Sequence, residues 1–272
     1  MFRIPLAALA AVLLLSLPVA GAADDIEARI DRAMTGDHRA DRNKARDLYR
    51  HPKETLLFFG LAPSMTVVEI TPGAGWYSEI LAPVLRDTGT FYAAIYKVTD
   101  GSPDIIKRLD GMYRGMLNAN AGLYDQVKLS VFDPQAPRFA PPGSADLVLT
   151  FRNVHNWAKA GTAEAMFSGF YDALKPGGVL GVVEHRAKPG TSFQQQIDSG
   201  YMTEAYVLEM AQKAGFRLVA KSEINANPKD TADHPGGVWN LPPNLRNVPE
   251  ADRAKYLAIG ESDRMTMKFV KP

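Results

Sequence analysis

Val67–Glu79 reads VVEITPGAGWYSE. An apolar run carries an acid near its end, two glycines follow, and a helix-forming stretch begins. That order describes a buried strand, a tight turn and the first turn of a helix. Gly73 and Gly75 permit backbone angles and close ligand approach that side chains forbid. The helix after them points unpaired backbone N–H groups at the turn, which favours an anion or a polar ligand atom. Glu69 sits at the strand's end, where a carboxylate accepts hydrogen bonds from an amine or from hydroxyls. Chains turn this way around nucleotides.

Downstream of this unit the chain alternates. Strands are expected at Thr66–Ile70, Gly89–Tyr96, Val127–Phe132, Ala145–Phe151, Gly177–His185, Phe216–Ile224 and Arg264–Val270. Helices are expected at Tyr77–Leu85, Pro103–Leu117, Thr162–Leu174 and Thr203–Ala214. Strands rich in Val, Leu and Ile that alternate with helices form a parallel sheet covered on both faces. Right-handed crossovers make it doubly wound. The expected fold is α/β: a doubly wound, mostly parallel sheet of seven strands. The stretch 225–263 is rich in Pro, Gly and Asn, with one short helix at Pro249–Ile259. A loop of that length inside a domain is either a functional lid or an inert surface excursion.

Upstream, 1–23 has the layout of a secretory signal peptide: Arg3, an apolar run from Ile4 to Val19, and small residues at 20–23. A retained membrane anchor is the other reading; Pro18 and the Ala-Gly-Ala site favour cleavage. The expected location is therefore outside the cytoplasm, in the periplasm, with no membrane span left after cleavage. Residues 24–60 form a polar helical segment ahead of a main domain at 61–272. Within it, Arg39, Arg42, Arg46 and Arg50 recur at helical spacing on one face. They read either as a solvated helix face or as an anion contact.

Composition narrows the function further. With 272 residues and 46% hydrophobic content, the chain supports a sizeable core and is not disordered. A formal charge of +1 gives no global field for nucleic acid, so a small molecule is the expected partner. The absence of cysteine excludes disulfides, cysteine-based zinc sites and thiol nucleophiles.

EITPGAG at 69–75, LKPGGVLGVVEHR at 174–186 and the closing helix, strand, loop and strand together resemble a class I S-adenosylmethionine-dependent methyltransferase. The likeness runs from about Leu56 to Pro272. DLYRHPKETLLFFGL and GESDRMTMKFVKP also look like an exported branch of predicted methyltransferases. The resemblance implies a Rossmann-like seven-stranded sheet with an antiparallel C-terminal strand, S-adenosylmethionine as cofactor and a set of contacts. Glu69, Gly73 and Gly75 match the glycine turn that carries the methionine part, and Tyr77 lies on the next turn. Thr71 stands where a first glycine is common. Phe132 and Asp133 match the adenine position. Asn153, His155 and Asn156 match the segment under the methyl group. One position departs from the pattern: the ribose acid expected near Ile95 is replaced by Ile95, Tyr96 and Lys97. Losing such a charged contact costs about 1.5–3 kcal/mol, or roughly one to two decades of affinity. Tyr96 can supply one hydrogen bond, and Lys97 suits a phosphate.

His155, Glu184 and His185 all follow or end strands at the C-terminal rim, where open α/β sheets bind ligands. They are the catalytic candidates, His155 as base or substrate anchor. A merely structural His155, and a Glu184–Arg186 ion pair, are the bland alternatives. The spacing carries no metal signature. Asp230, His234 and Trp239, in the 225–263 stretch, are candidate substrate contacts. Two other functions share the pattern: an exported ligand-binding protein that keeps the fold without catalysis, and a nicotinamide-dependent oxidoreductase. Against the latter, Ser78 replaces the last glycine of its fingerprint.

Overall fold

A computed structural model describes residues 21–272. Four helices open the described residues: α1 (Gly21–Thr35), α2 (Asp41–Lys44), α3 (Asp47–Arg50) and α4 (Pro52–Phe59). Then come β1 (Thr66–Ile70), α5 (Ser78–Leu85), β2 (Thr90–Tyr96), α6 (Asp104–Ala119), α7 (Ala121–Tyr124) and β3 (Lys128–Phe132). β4 (Ala145–Phe151), α8 (Val154–Ala160), α9 (Ala163–Ala173) and β5 (Leu174–His185) follow. α10 (Phe193–Ser199), α11 (Glu204–Lys213), β6 (Arg217–Ser222), α12 (Glu250–Ile259) and β7 (Arg264–Val270) complete the domain.

The strands form one seven-stranded sheet in the order β3-β2-β1-β4-β5-β7-β6. All neighbours are parallel except those of β7, which runs antiparallel to both β5 and β6. The expected fold class is therefore present. Alternate strand residues feed opposite layers, because side chains along a strand point to alternate faces. Val68 and Ile70 join the layer under α8, α9 and α11; Val67 joins the layer under α1, α4, α5 and α6. Strand order reverses between β1 and β4. Connections leave that point in opposite directions and open a crevice beyond the strands' C-terminal ends.

The arginine series of the N-terminal segment is not a solvated helix face. The segment is broken into α2 and α3, and Arg39 and Arg50 are buried. Arg39 pairs with Asp47 at 2.8 Å and with Glu79 at 3.5 Å. Asn43 donates to both Glu79 oxygens, and the Trp76 indole donates to Asn43 O. The segment is thus clamped onto the start of α5. One bond explains how α5 tolerates Pro83. Proline has no N–H to give Glu79 O four residues earlier; His38 Nε2 takes that carbonyl at 2.8 Å.

The stretch 225–263 is pinned at both ends. Asn225 donates to Thr55 and Thr266 hydroxyls, and Asn227 to the carbonyls of Ile259 and Glu261. Residues 1–20 of the expected signal peptide, 1–23, lie outside the described residues. Among the described residues, no helix is long and apolar enough to cross a membrane.

Candidate functional site

Two cavities meet in the crevice at the switch point. The first encloses about 230 Å³ and is largely apolar, lined by Ile95, Tyr96, Ile105, Ile106 and Leu109. The second encloses about 210 Å³ and is mainly polar, lined by Arg50, Glu69, Tyr77, Arg152, His155, His185, Trp239 and Asn244 among others. Thr71, Pro72, Gly73 and Asn153 line both, so the turn after β1 is the shared ridge.

The ridge explains the opening sequence. Thr71 adopts φ 48°, a left-handed conformation rare for a β-branched residue. The site thereby keeps the backbone shape that glycine usually provides there, at a cost in strain. Its Oγ1 is buried without a partner among the described residues. Gly73 has φ 63°, and a methyl group added there would meet no heavy atom within 4 Å: it would project into open cavity. Gly75 is different. At φ 95° it backs onto α6, and an added methyl would strike Met116 Cε and lie 3.3 Å from the Tyr113 ring. Gly73 is the ligand-facing glycine, whereas Gly75 lets helix and turn approach. Asn153 ties the ends of β4 and β1 together, its amide donating to Ile70 O and Phe151 O at 3.2 Å.

Glu69 is buried and accepts the Ser78 hydroxyl at 2.5 Å; Ser78 in turn contacts Tyr113 Oη at 3.0 Å. Desolvation pushes its pKa up to about 8, only partly opposed by the Ser78 bond. The folded chain therefore holds a proton on Glu69 that the unfolded chain loses near pH 4.5. Stability from this group is full below that pH and is lost as pH rises toward 8.

Three rim residues converge as the strand ends imply. Glu184 is fully buried and accepts His155 Nδ1 at 3.1 Å, His155 N at 3.3 Å and His185 N at 2.7 Å. With Nδ1 protonated toward the carboxyl, His155 Nε2 carries the lone pair. His185 Nδ1 lies 2.5 Å from Ser262 Oγ, and burial with the adjacent His155 holds its pKa well below the usual range, so it is neutral. Glu184 does not pair with Arg186, which instead engages Asp263, Glu223 and Glu204. The ligating atoms of His155, Glu184 and His185 lie within 4.8 Å of one another. Both Glu184 oxygens are already hydrogen-bonded, and the charges of Arg50, Arg152 and Arg264 oppose a cation here.

Other candidates fall in different places. Tyr77 stacks on Phe151 at 3.5 Å and walls the polar cavity. Tyr96 accepts the Trp157 indole N–H at 2.8 Å, which leaves its own proton to donate into the apolar cavity. Phe132 is core, packed between Tyr96 and Phe139. Asp133 is exposed and accepts Gln135 N–H; neither it nor Lys97 lines the cavities. Asn156 lines the apolar cavity. Asp230 accepts Tyr201 Oη, Asp263 N and His234 Nε2. Asp230 and His234 therefore fold the 225–263 stretch, while Trp239 reaches the chamber. Sequence reasoning missed Asp110. From α6 it brings a carboxylate to the apolar cavity beside Ile95 and Tyr96, held by Arg114 at 3.0 Å. Only its place on the inward face of α6 could have signalled it. Arg152 was missed too: it follows β4 at φ 62° and lines the polar cavity.

No family model and no curated protein matches this chain. Solved structures do. A SAM-dependent methyltransferase from Aquifex aeolicus aligns at 15% identity over 90% of this chain and 98% of its own, with a TM-score of 0.55. The cyclase SpnF aligns at 15% identity over 91% and 93%, with a TM-score of 0.56. A geranyl diphosphate C-methyltransferase from Streptomyces coelicolor A3(2), solved with Mg2+, geranyl diphosphate and S-adenosyl-L-homocysteine, aligns at 12% identity over 88% and 87%, with a TM-score of 0.55. At such identities the likeness is one of fold, the seven-stranded Rossmann-like fold of SAM-dependent methyltransferases.

Proposed function

We propose that this chain is an exported S-adenosylmethionine-dependent methyltransferase acting on a small molecule. The observation that carries the reading is the two-part cleft at the β1–β4 switch point. Its apolar half suits a nucleoside and its polar half a charged amino-acid tail, and they join at an open glycine beside the unpartnered Thr71 hydroxyl. Asp110 and Tyr96 face the ribose hydroxyls and replace the acid missing at the end of β2. Glu69 and Asn153 receive the amino group. S-adenosylmethionine supplies a methyl group on a cationic sulfur. His155 Nε2 accepts the proton of the acceptor's attacking group, and Glu184, through Nδ1, holds the ring. Tyr77, Phe151 and Trp239 keep water from the polar half. The cyclase among the fold's relatives shows why the site, not the fold, must carry this reading.

Calorimetry with S-adenosylhomocysteine tests it. Saturable binding is expected, with proton release at pH 7, because a cationic amine beside Glu69 favours the carboxylate. The heat should therefore vary with the buffer's ionisation enthalpy, and the variation should vanish in Glu69→Gln. No saturable heat at millimolar ligand would reject the reading; saturable binding of a nicotinamide dinucleotide instead would favour an oxidoreductase. Export rests on the layout of residues 1–23. N-terminal sequencing of the protein from its native cell should begin near residue 23 or 24, and a cytosolic species retaining Met1 would refute export.

A further inference from the structure

The polar cavity is lined by two arginines, Arg50 and Arg152, whose guanidinium groups are incompletely partnered among the described residues. Arg50 is 2% exposed and lies on the Trp76 ring at 4.6 Å. Its Nε donates to Glu261 at 3.0 Å, but Nη1 and Nη2 are buried with no partner among the described residues. Buried donors are almost always satisfied, and leaving them unpaired costs about 1–3 kcal/mol each. Arg152 faces the same cavity, and its guanidinium makes no hydrogen bond or ion pair to any described residue. Its backbone sits in a left-handed conformation that non-glycine residues rarely adopt. Arg46 and Arg264 adjoin, both paired to Glu261.

The charges do not balance. Arg46, Arg50, Arg152 and Arg264 face two carboxyls, Glu261 and Glu184, while Glu69 is held mostly protonated. Loading the cofactor does not correct this. A sulfonium and an ammonium outweigh one carboxylate by one charge, and ionisation of Glu69 only offsets that charge, so the arginine excess remains. Compensation must come from another molecule. Two guanidinium edges also offer the forked geometry that recognises carboxylate or phosphate.

We infer that Arg50 and Arg152 form a receptor for an oxyanion on the methyl acceptor, which is therefore a small carboxylate or phosphate compound. The inference rests on the methyltransferase reading of the same cleft. The receptor lines the polar half together with His155, His185 and Trp239, so it would fix one end of the acceptor while His155 receives the proton from the other.

The test is titration of the mature protein with inorganic phosphate, alone and with saturating S-adenosylhomocysteine. Phosphate should bind in both conditions. Arg152→Met, the milder of the two changes, should weaken it by about tenfold or more, while S-adenosylhomocysteine affinity stays within about threefold. Arg50→Met should act in the same direction if it folds; Arg152→Met alone suffices if it does not. Unchanged phosphate binding in Arg152→Met would overturn the receptor. Competition between phosphate and S-adenosylhomocysteine, with the variant losing both, would also overturn it, because the guanidiniums would then hold the cofactor's own carboxylate. Phosphate binding that depends on Arg152 without any S-adenosylhomocysteine binding would keep the oxyanion receptor and remove the methyltransferase reading.

Discussion

Gly73→Asp should weaken S-adenosylhomocysteine binding by about 100-fold or more, equivalent to ~2.7 kcal/mol, and leave the protein folded. Aspartate is among the few residues that tolerate a left-handed backbone, so φ 63° is survivable. Its side chain has nowhere to go but the ridge between the two cavities, since nothing lies within 4 Å of the new Cβ. Gly75→Ala is the contrasting control. There the added methyl runs into Met116 and the Tyr113 ring at φ 95°. The expected result is a lower melting temperature, by a few degrees for each kcal/mol of strain, with ligand affinity reduced far less than in Gly73→Asp. Calorimetry and thermal melts on both variants separate blocking from destabilisation. Equal affinity in Gly73→Asp and the parent would place the ligand elsewhere in the molecule.

His155→Ala should lower turnover by roughly 10²–10⁴-fold, the usual worth of a positioned general base, with S-adenosylhomocysteine affinity nearly intact. Glu184 keeps two backbone N–H donors in that variant, so the carboxyl is not stranded. Glu184→Gln should produce a smaller loss of kcat with little change in KM, because an amide no longer fixes the Nδ1 proton and so no longer guarantees a free Nε2 lone pair. The readout is single-turnover methyl transfer to a carboxylate or phosphate acceptor. Full activity in His155→Ala would make the histidine a structural residue that closes the loop after β4. Binding without turnover in the parent against every such acceptor would instead favour a non-catalytic binding protein on the same fold.

The sequence by itself determined the sheet. Thr66–Ile70, Ala145–Phe151 and Arg264–Val270 are read at their observed ends, because the first two are short apolar runs bounded by breakers or polar residues and the third alternates polar and apolar residues. The glycine turn, the convergence of His155, Glu184 and His185, and the fold class follow from strand ends and chain order alone. They depend on local periodicity and on the topology that a parallel sheet enforces. What the tertiary structure decided was partnership. The spacing of Arg39, Arg42, Arg46 and Arg50 implies one helix face, yet Arg46 and Arg50 reach Glu261 more than two hundred residues away. Asp110 meets Ile95 only because α6 folds back over β2, and Asp133 lies outside the cleft although it follows β3. Which of two neighbouring glycines faces a ligand depends on what stands behind each, and that is Met116 and Tyr113 for one and empty cavity for the other. Contacts between distant segments leave no periodic trace in a chain; they arise when burial brings charges together and each must find its counterion.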